Sequence, residues 1–360
     1  MKRFFECLIP VTVCNLKCDY CYVIQEHNRL MKMPVFQYTA SHIKQALSVE
    51  RLGGICYFSI CGAGETLIPK ETLEITKALL ENGHYVNVTN NGTMTNRIEE
   101  IVSWEPELLS RLHLAFSLHY LELLKHNMLE RFFNNVRTAR AAGCSVLVQI
   151  NLYDGYNPYW NEIKELCINE LGAAPQVAAT RDESSPVFKF HTDGTISDYI
   201  KRGEEYESPL WNFTVSNFNL KHNKEFCYAG EWSGTLNLCS GEMTGCYGQG
   251  IRQNIFEDIT KPIKFMAIGK HCSNKYCINS SHFLSLGCIP SYSEAPSYAS
   301  LRNRAAAGWY TPKMVSFLSE KLYDSNEQYS GWERFRSNVY SSYRGMKRTL
   351  GSVIRKIIRK

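Results

Sequence analysis

Three cysteines within eight residues, Cys14, Cys18 and Cys21, carry the clearest chemistry in this sequence. Their C-x3-C-x2-C spacing puts three thiols on one short loop. Three thiolates can hold three irons of a [4Fe–4S] cluster and leave the fourth iron without a protein ligand. An open iron can bind a substrate or cofactor as well as pass electrons. The competing chemistry is a zinc site completed by His27, since structural zinc takes four closed ligands. A second dense group runs from Cys227 to Cys288, through Cys239, Cys246, Cys272 and Cys277. Two registers compete there. Gly234-x4-Cys239 leaves six residues between Cys227 and the glycine, and Gly241-x4-Cys246 leaves thirteen. The second also reads as a hairpin, with TLNLC, a turn at Ser240-Gly241, then EMTGC.

The remaining cysteines, Cys7, Cys56, Cys61, Cys144 and Cys167, sit in or beside apolar runs and read as small buried hydrophobes. Nothing at the start directs export: Glu6 interrupts the apolar run, and no small-residue cleavage site follows. Fourteen cysteines therefore point to metal or redox chemistry in a reducing, cytoplasmic setting rather than to disulfides. No stretch reaches the ~20 apolar residues of a membrane span. A 360-residue chain that is 44% hydrophobic can bury one large core, with or without a smaller appendage.

The loop bearing the first thiols needs a scaffold, and residues 4–180 supply one. Strand-like runs fall at 4–13, 55–60, 85–90, 111–118, 145–152 and 175–180. Helical stretches lie near 36–50, at 69–82, from 119 to Gly143, and at 158–171. Short apolar runs separated by helices mean parallel strands with crossover helices. Six such units predict an α/β fold, a partial (β/α)6 TIM-like barrel over 1–182. A connector or lid is expected at 183–226, and a small loop-rich, metal-stapled domain at 227–299. A helix is expected within 300–323, in a helical segment spanning 300–333, with a basic tail at 334–360.

CNLKCDYCY resembles the signature loop of the radical S-adenosylmethionine (SAM) superfamily, with Tyr20 as the aromatic residue before the last cysteine. CGAGETL at the end of the second strand is similar to that family's Gly-Gly-Glu motif. The resemblance implies that Gly62, Ala63 and Gly64 let backbone groups approach the SAM amino group, with Glu65 as the matching carboxylate. It also implies that Asn91, in the Thr-Asn-Gly-like turn after strand three, lies near SAM, that Ser117 after strand four contacts it, and that Arg181 past strand six meets its carboxylate. The implied activity is reductive cleavage of SAM to a 5′-deoxyadenosyl radical, fed by an external electron donor such as flavodoxin or ferredoxin. The Cys227 to Cys246 spacing resembles the opening of SPASM and twitch domains. That resemblance selects Cys246 over Cys239 and implies one auxiliary [4Fe–4S] cluster on Cys227, Cys246, Cys272 and Cys277. A full SPASM run of seven cysteines is absent, and zinc stays open as the alternative in this unit.

The substrate is less legible. His119, Tyr153 and Asp154 stand at strand ends that should face the site, alongside Tyr120, Asp182 and Glu183. Aromatic faces beside carboxylates suit a polyhydroxylated, sugar-like substrate. The expected activity is oxidation or epimerisation of such a substrate, with peptide or protein maturation as the alternative. Cys14 stands so near the start that no leader-recognising unit is expected before it. An iron–sulfur or zinc module that binds a partner is the non-enzymatic reading, and formation of 5′-deoxyadenosine excludes it. In the tail, Tyr343, Met346, Leu350, Val353, Ile354, Ile357 and Ile358 recur at helical spacing. Nine basic and no acidic residues accompany them, so everything before residue 334 sums to −4 out of a total of +5. This describes an interfacial helix on anionic lipid at the inner membrane face. A terminal helix packed on the protein is the other reading. No nucleic-acid partner is expected.

Overall fold

The structure, a computed structural model, describes residues 1–183, 189–270 and 272–343. Six parallel strands form its centre: β1 (Arg3–Ile9), β2 (Cys56–Gly62), β3 (Tyr85–Asn90), β4 (Leu112–Ser117), β5 (Ser145–Leu152) and β6 (Gln176–Ala179), paired in that order. Helices such as Lys70–Glu81, Leu129–Ala141 and Trp160–Leu171 make the crossovers. This is the expected partial barrel. Its strands read as near-continuous apolar runs because helices cover one face and the barrel interior the other. Phe5 stacks on Phe58 with ring centroids 5.2 Å apart, fixing β1 on β2 beneath their helices.

The first strand is shorter than its apolar run predicts. Pairing with β2 ends at Ile9↔Gly62. Pro10 has no N–H to continue the ladder, so residues 10–13 leave the sheet and lead into the cysteine loop.

Five further short strands follow β6. β7 (Arg181–Asp182) and β8 (Lys189–Phe190) form a separate pair. β9 (Ser233–Asn237) lies parallel to β1, and β10 (Glu242–Thr244) folds back on it as a hairpin, with Met243 opposite Leu236. β11 (Gln253–Asn254) completes the nine-stranded sheet at β10. Gly241 turns the hairpin at φ +76°, where a Cβ would lie 2.6 Å from Phe256. Only glycine meets both demands.

Two stretches gain detail beyond the sequence expectation. Residues 196–216, placed in a connector or lid, form helices Ile196–Glu204 and Pro209–Ser216. Leu210, Trp211 and Phe213 of the second are buried beside β6. The helix expected within 300–323 is Pro312–Ser319, preceded by Tyr298–Arg302 and a short turn at Ala305–Ala307. Gly308 at φ +62° and Pro312 at the start of the last helix separate these elements. A final helix covers residues 331–343. Asn338 Oδ1 accepts from the Lys270 N–H at 2.7 Å, and Ser341 donates to the Ile268 carbonyl. The expected tail thus begins as a docked helix, and its stripe from Met346 to Ile358 lies outside the described residues.

Candidate active site

The loop after β1 places Cys14, Cys18 and Cys21 together. The Cys21 N–H donates to the Cys18 carbonyl at 3.0 Å, and Arg29 Nη2 holds the Cys14 and Leu16 carbonyls at 3.0 and 3.1 Å. Burial pushes the Cys14 and Cys18 thiols up, and the proximity of the other two thiols adds to the rise at Cys18. Crowded thiols that resist ionisation alone are a donor set suited to a bound metal, which takes the thiolate.

Neighbouring turns brace this loop. The Glu65 N–H donates to the Val13 carbonyl at 2.8 Å. A Cβ on Gly64 would stand 2.2 Å from that same carbonyl oxygen, and one on Gly62 would stand 2.6 Å from Val11 Cγ1. In this structure the glycines are needed because the backbone after β1 crosses over them. Glu65 is fully buried, and its two oxygens accept from the N–H groups of Leu67 (2.9 Å) and Asn91 (2.8 Å). Its carboxylate ties the β2 turn to the β3 turn. Burial raises its pKa to about 7 despite both bonds. The Asn91 amide continues the brace, donating to Asn15 Oδ1 at 2.8 Å with Cys14 Sγ 3.9 Å away.

On the far side of the loop, the Tyr20 hydroxyl meets His119 Nδ1 at 2.7 Å and the Tyr156 hydroxyl at 2.9 Å, and the Tyr153 ring lies 5.0 Å from the Tyr20 ring. His119 and Tyr153 therefore join one aromatic wall beside the cysteine loop. Burial lowers the His119 pKa to about 4, so its imidazole is neutral. Asp154 is held otherwise: its carboxylate accepts from Thr192 Oγ1 and the Asp193 N–H at 2.8 and 2.7 Å and faces Arg202. Ser117 ends β4, and Arg181 lies in β7, paired with Glu183 at 3.3 Å.

The second cysteine group converges from three chain segments. Cys227, Cys246, Cys272 and Cys277 line one cavity, with Cys288 also in its wall. Burial pushes the Cys246 thiol up, and the other three thiols of that quartet add to the rise. Cys239 lies elsewhere, beyond the β9 end, where its carbonyl accepts from the Gln37 N–H and its thiol faces Glu71. Among the described residues no three His, Cys, Asp or Glu side chains close on a single metal ion. A cubane does not ask for that, since its irons occupy separate corners.

Residues missed by sequence reasoning lie between the two groups. The sheet register sets Glu6 in one row with Ser59, Asn87 and His113 across β1 to β4. Glu6 Oε1 accepts from the Asn279 amide, with Tyr247 close by and His282 Nδ1 at 4.0 Å, while Oε2 has no partner among the described residues. Burial raises the Glu6 pKa to about 7. Tyr247 follows Cys246, and Asn279, held at φ +51°, stands two residues past Cys277. The one signal available was an acidic residue inside an otherwise apolar first strand.

Comparison with known proteins decides the character of the first unit. Residues 8–167 match the model of the radical SAM superfamily. They form a radical SAM domain. Its cofactors are a [4Fe–4S] cluster and SAM, which agrees with three clustered thiols on the loop after β1. No curated protein matches the sequence. Among solved structures, SuiB from Streptococcus suis bound to SAM is similar at 17% identity and a TM-score of 0.49, with 71% of this chain and 63% of SuiB covered. The chain thus spans under two thirds of SuiB. The structure anSMEcpe with bound AdoMet and the Cp18Cys peptide aligns at 12% identity over 97% and 99% of the two chains, TM-score 0.48. BtrN in complex with AdoMet and 2-DOIA aligns at 14% identity over 91% and 90%, TM-score 0.30.

Proposed function

We propose that this chain is a radical SAM oxidoreductase or epimerase acting on a sugar-like substrate, with an auxiliary [4Fe–4S] cluster that exchanges the substrate's electron. In this reading Cys14, Cys18 and Cys21 hold the SAM-binding cluster, and Cys227, Cys246, Cys272 and Cys277 hold the second. The observation that carries the reading is the convergence of those four thiols on one cavity from segments 19, 26 and 5 residues apart, with Cys239 left out. When bound and reduced, cluster and SAM supply a 5′-deoxyadenosyl radical able to take hydrogen from an unactivated C–H bond.

The chain's own residues do the rest. Asn91 and Arg29 fix the cysteine loop. Tyr20, His119 and Tyr153 wall one side of the SAM site with neutral, apolar-faced groups that exclude water. The polar row from Glu6 to His113 lines the barrel toward the second thiol group, where a polyhydroxylated substrate would find acceptors and donors. Flavodoxin or ferredoxin would deliver the electron, and residues 334–360 would bring the enzyme to an anionic membrane surface.

Iron counting tests the two-cluster reading directly. Anaerobically reconstituted protein should bind about eight irons, since each [4Fe–4S] cluster holds four. The Cys14/Cys18/Cys21 triple alanine variant should keep about half and lose all SAM cleavage. If that variant still forms 5′-deoxyadenosine, the site is misplaced.

A further inference from the structure

The cavity of the second thiol group is bounded on one side by a loop with no cysteine. Residues 218–226 run from the helix Pro209–Ser216 to Cys227, and the Cys277 N–H pins the loop by donating to the Leu220 carbonyl at 2.9 Å. His222, two residues on, lines the same cavity as Cys227, Cys246, Cys272 and Cys277. Its side chain is only 10% exposed. The ring lies 5.0 Å from Tyr292, and Nδ1 faces Glu225 Oε1 at 3.6 Å. Nε2 is buried and has no hydrogen-bond partner among the described residues.

A buried imidazole nitrogen without a partner is rare, because desolvation is not repaid. The partner must be whatever occupies the cavity, and the four thiols define that occupant. With one thiolate on each iron, a [4Fe–4S] cluster has no coordination site left for nitrogen. Its exposed groups are sulfurs, which accept hydrogen bonds and do not donate them. From this we infer that the His222 Nε2–H donates a hydrogen bond to a sulfur of the auxiliary cluster and raises its reduction potential. The inference rests on the four-cysteine reading proposed above. A hydrogen bond to sulfur favours the reduced cluster, which carries one more negative charge, so losing the donor makes reduction harder. His222 is a positioning and tuning residue and is not itself a ligand.

The test uses full-length protein in the Cys14/Cys18/Cys21→Ala background, so that only the auxiliary cluster is observed. Iron content and the midpoint potential from EPR-monitored redox titration are compared for His222, His222→Leu and His222→Gln. The leucine variant should keep its iron and show a lower midpoint potential. The glutamine variant, whose amide N–H reaches the same region, should recover most of the difference. An unchanged potential in the leucine variant overturns the inference. So does loss of iron, which would mean ligation, or a glutamine variant indistinguishable from leucine. Should the leucine variant not fold, isotope-labelled histidine in otherwise unaltered protein decides: a weak nitrogen coupling to the reduced cluster that His222→Gln abolishes supports the bond, and no such coupling overturns it. If the background protein holds no iron, the four-cysteine reading itself has failed, and this inference falls with it.

Discussion

Gly64 shows how a residue can be required for a reason other than the expected one. Its missing side chain makes room for the Val13 carbonyl, 2.2 Å from where a Cβ would stand. Gly64→Ala should therefore displace the strand exit that carries Cys14, costing ~1–3 kcal/mol as an overpacked site does. The variant should lose iron from the first loop while keeping that of the second, as iron analysis with selective cysteine variants would show. Glu6 and Glu65 make a pH prediction. Each has a folded pKa of about 7, above the ordinary carboxyl value of 4.5. The folded protein therefore holds protons that the unfolded chain releases between pH ~4.5 and ~7, and its stability falls as pH rises through that window and then levels. Each group contributes a slope of at most ~1.4 kcal/mol per pH unit. In urea unfolding of the metal-free protein, Glu6→Gln should remove about half of that slope, since two such carboxyls contribute to it. A slope unchanged by Glu6→Gln would mean that its carboxyl is ionised in the folded state.

At the scale of elements, the hairpin of β9 and β10 decides which cysteine meets the cavity. Its turn at Gly241 sends Cys246 back toward Cys227 and leaves Cys239 against the residue 37 loop. Cys246→Ala should lose the auxiliary iron and Cys239→Ala should retain it, and the opposite pair of results would restore the Gly234 register. Both registers were visible in spacing alone. What spacing could not show was that β9 would pair with β1, because parallel pairing across some 230 residues leaves no local mark. Apart from the end of β1, which Pro10 cuts short, the parallel strands were legible within a residue or two, since apolar runs bounded by Gly and Asn turns are strong signals. The helix expected within 300–323 is Pro312–Ser319, and Gly308 and Pro312 mark where it starts. The Glu6 cage was invisible because its partners come from residues 247, 279 and 282. Only the oddity of a carboxylate in an apolar strand pointed to it.

For the whole molecule, the C-terminal helix forces a change in how the membrane expectation is tested. Residues 331–343 pack through Asn338 and Ser341 on the irregular segment leading to Cys272. Removing everything from residue 334 would disturb that wall of the cavity. Removing 344–360 leaves the docked turns and takes away seven of the nine basic residues. That truncated protein should keep SAM cleavage and lose sedimentation with anionic vesicles. Each basic residue near such a surface is worth ~1 kcal/mol, screened over a Debye length of ~8 Å, so intact protein should detach as salt rises. Trp332, Phe335 and Val339 are each more than half exposed along the docked helix. Intact protein that ignores anionic vesicles at low salt would remove the membrane from consideration. Among the described residues no helix is long and apolar enough to cross a membrane.

The seating of β1 between β2 and β9 also bears on how the chain is made. One edge of β1 is paired once about 60 residues have emerged, but the other waits for Ser233–Asn237. Lys2 waits longer still, since its backbone exchanges two 2.8 Å bonds with the Asn326 side chain. A ribosome-bound chain therefore presents an open apolar edge, Phe5 and Cys7 included, through most of its synthesis. Such an edge is a template for pairing with another chain. Chaperone cover during translation, and iron delivered only after the C-terminal strands have docked, would both follow from that single strand neighbour.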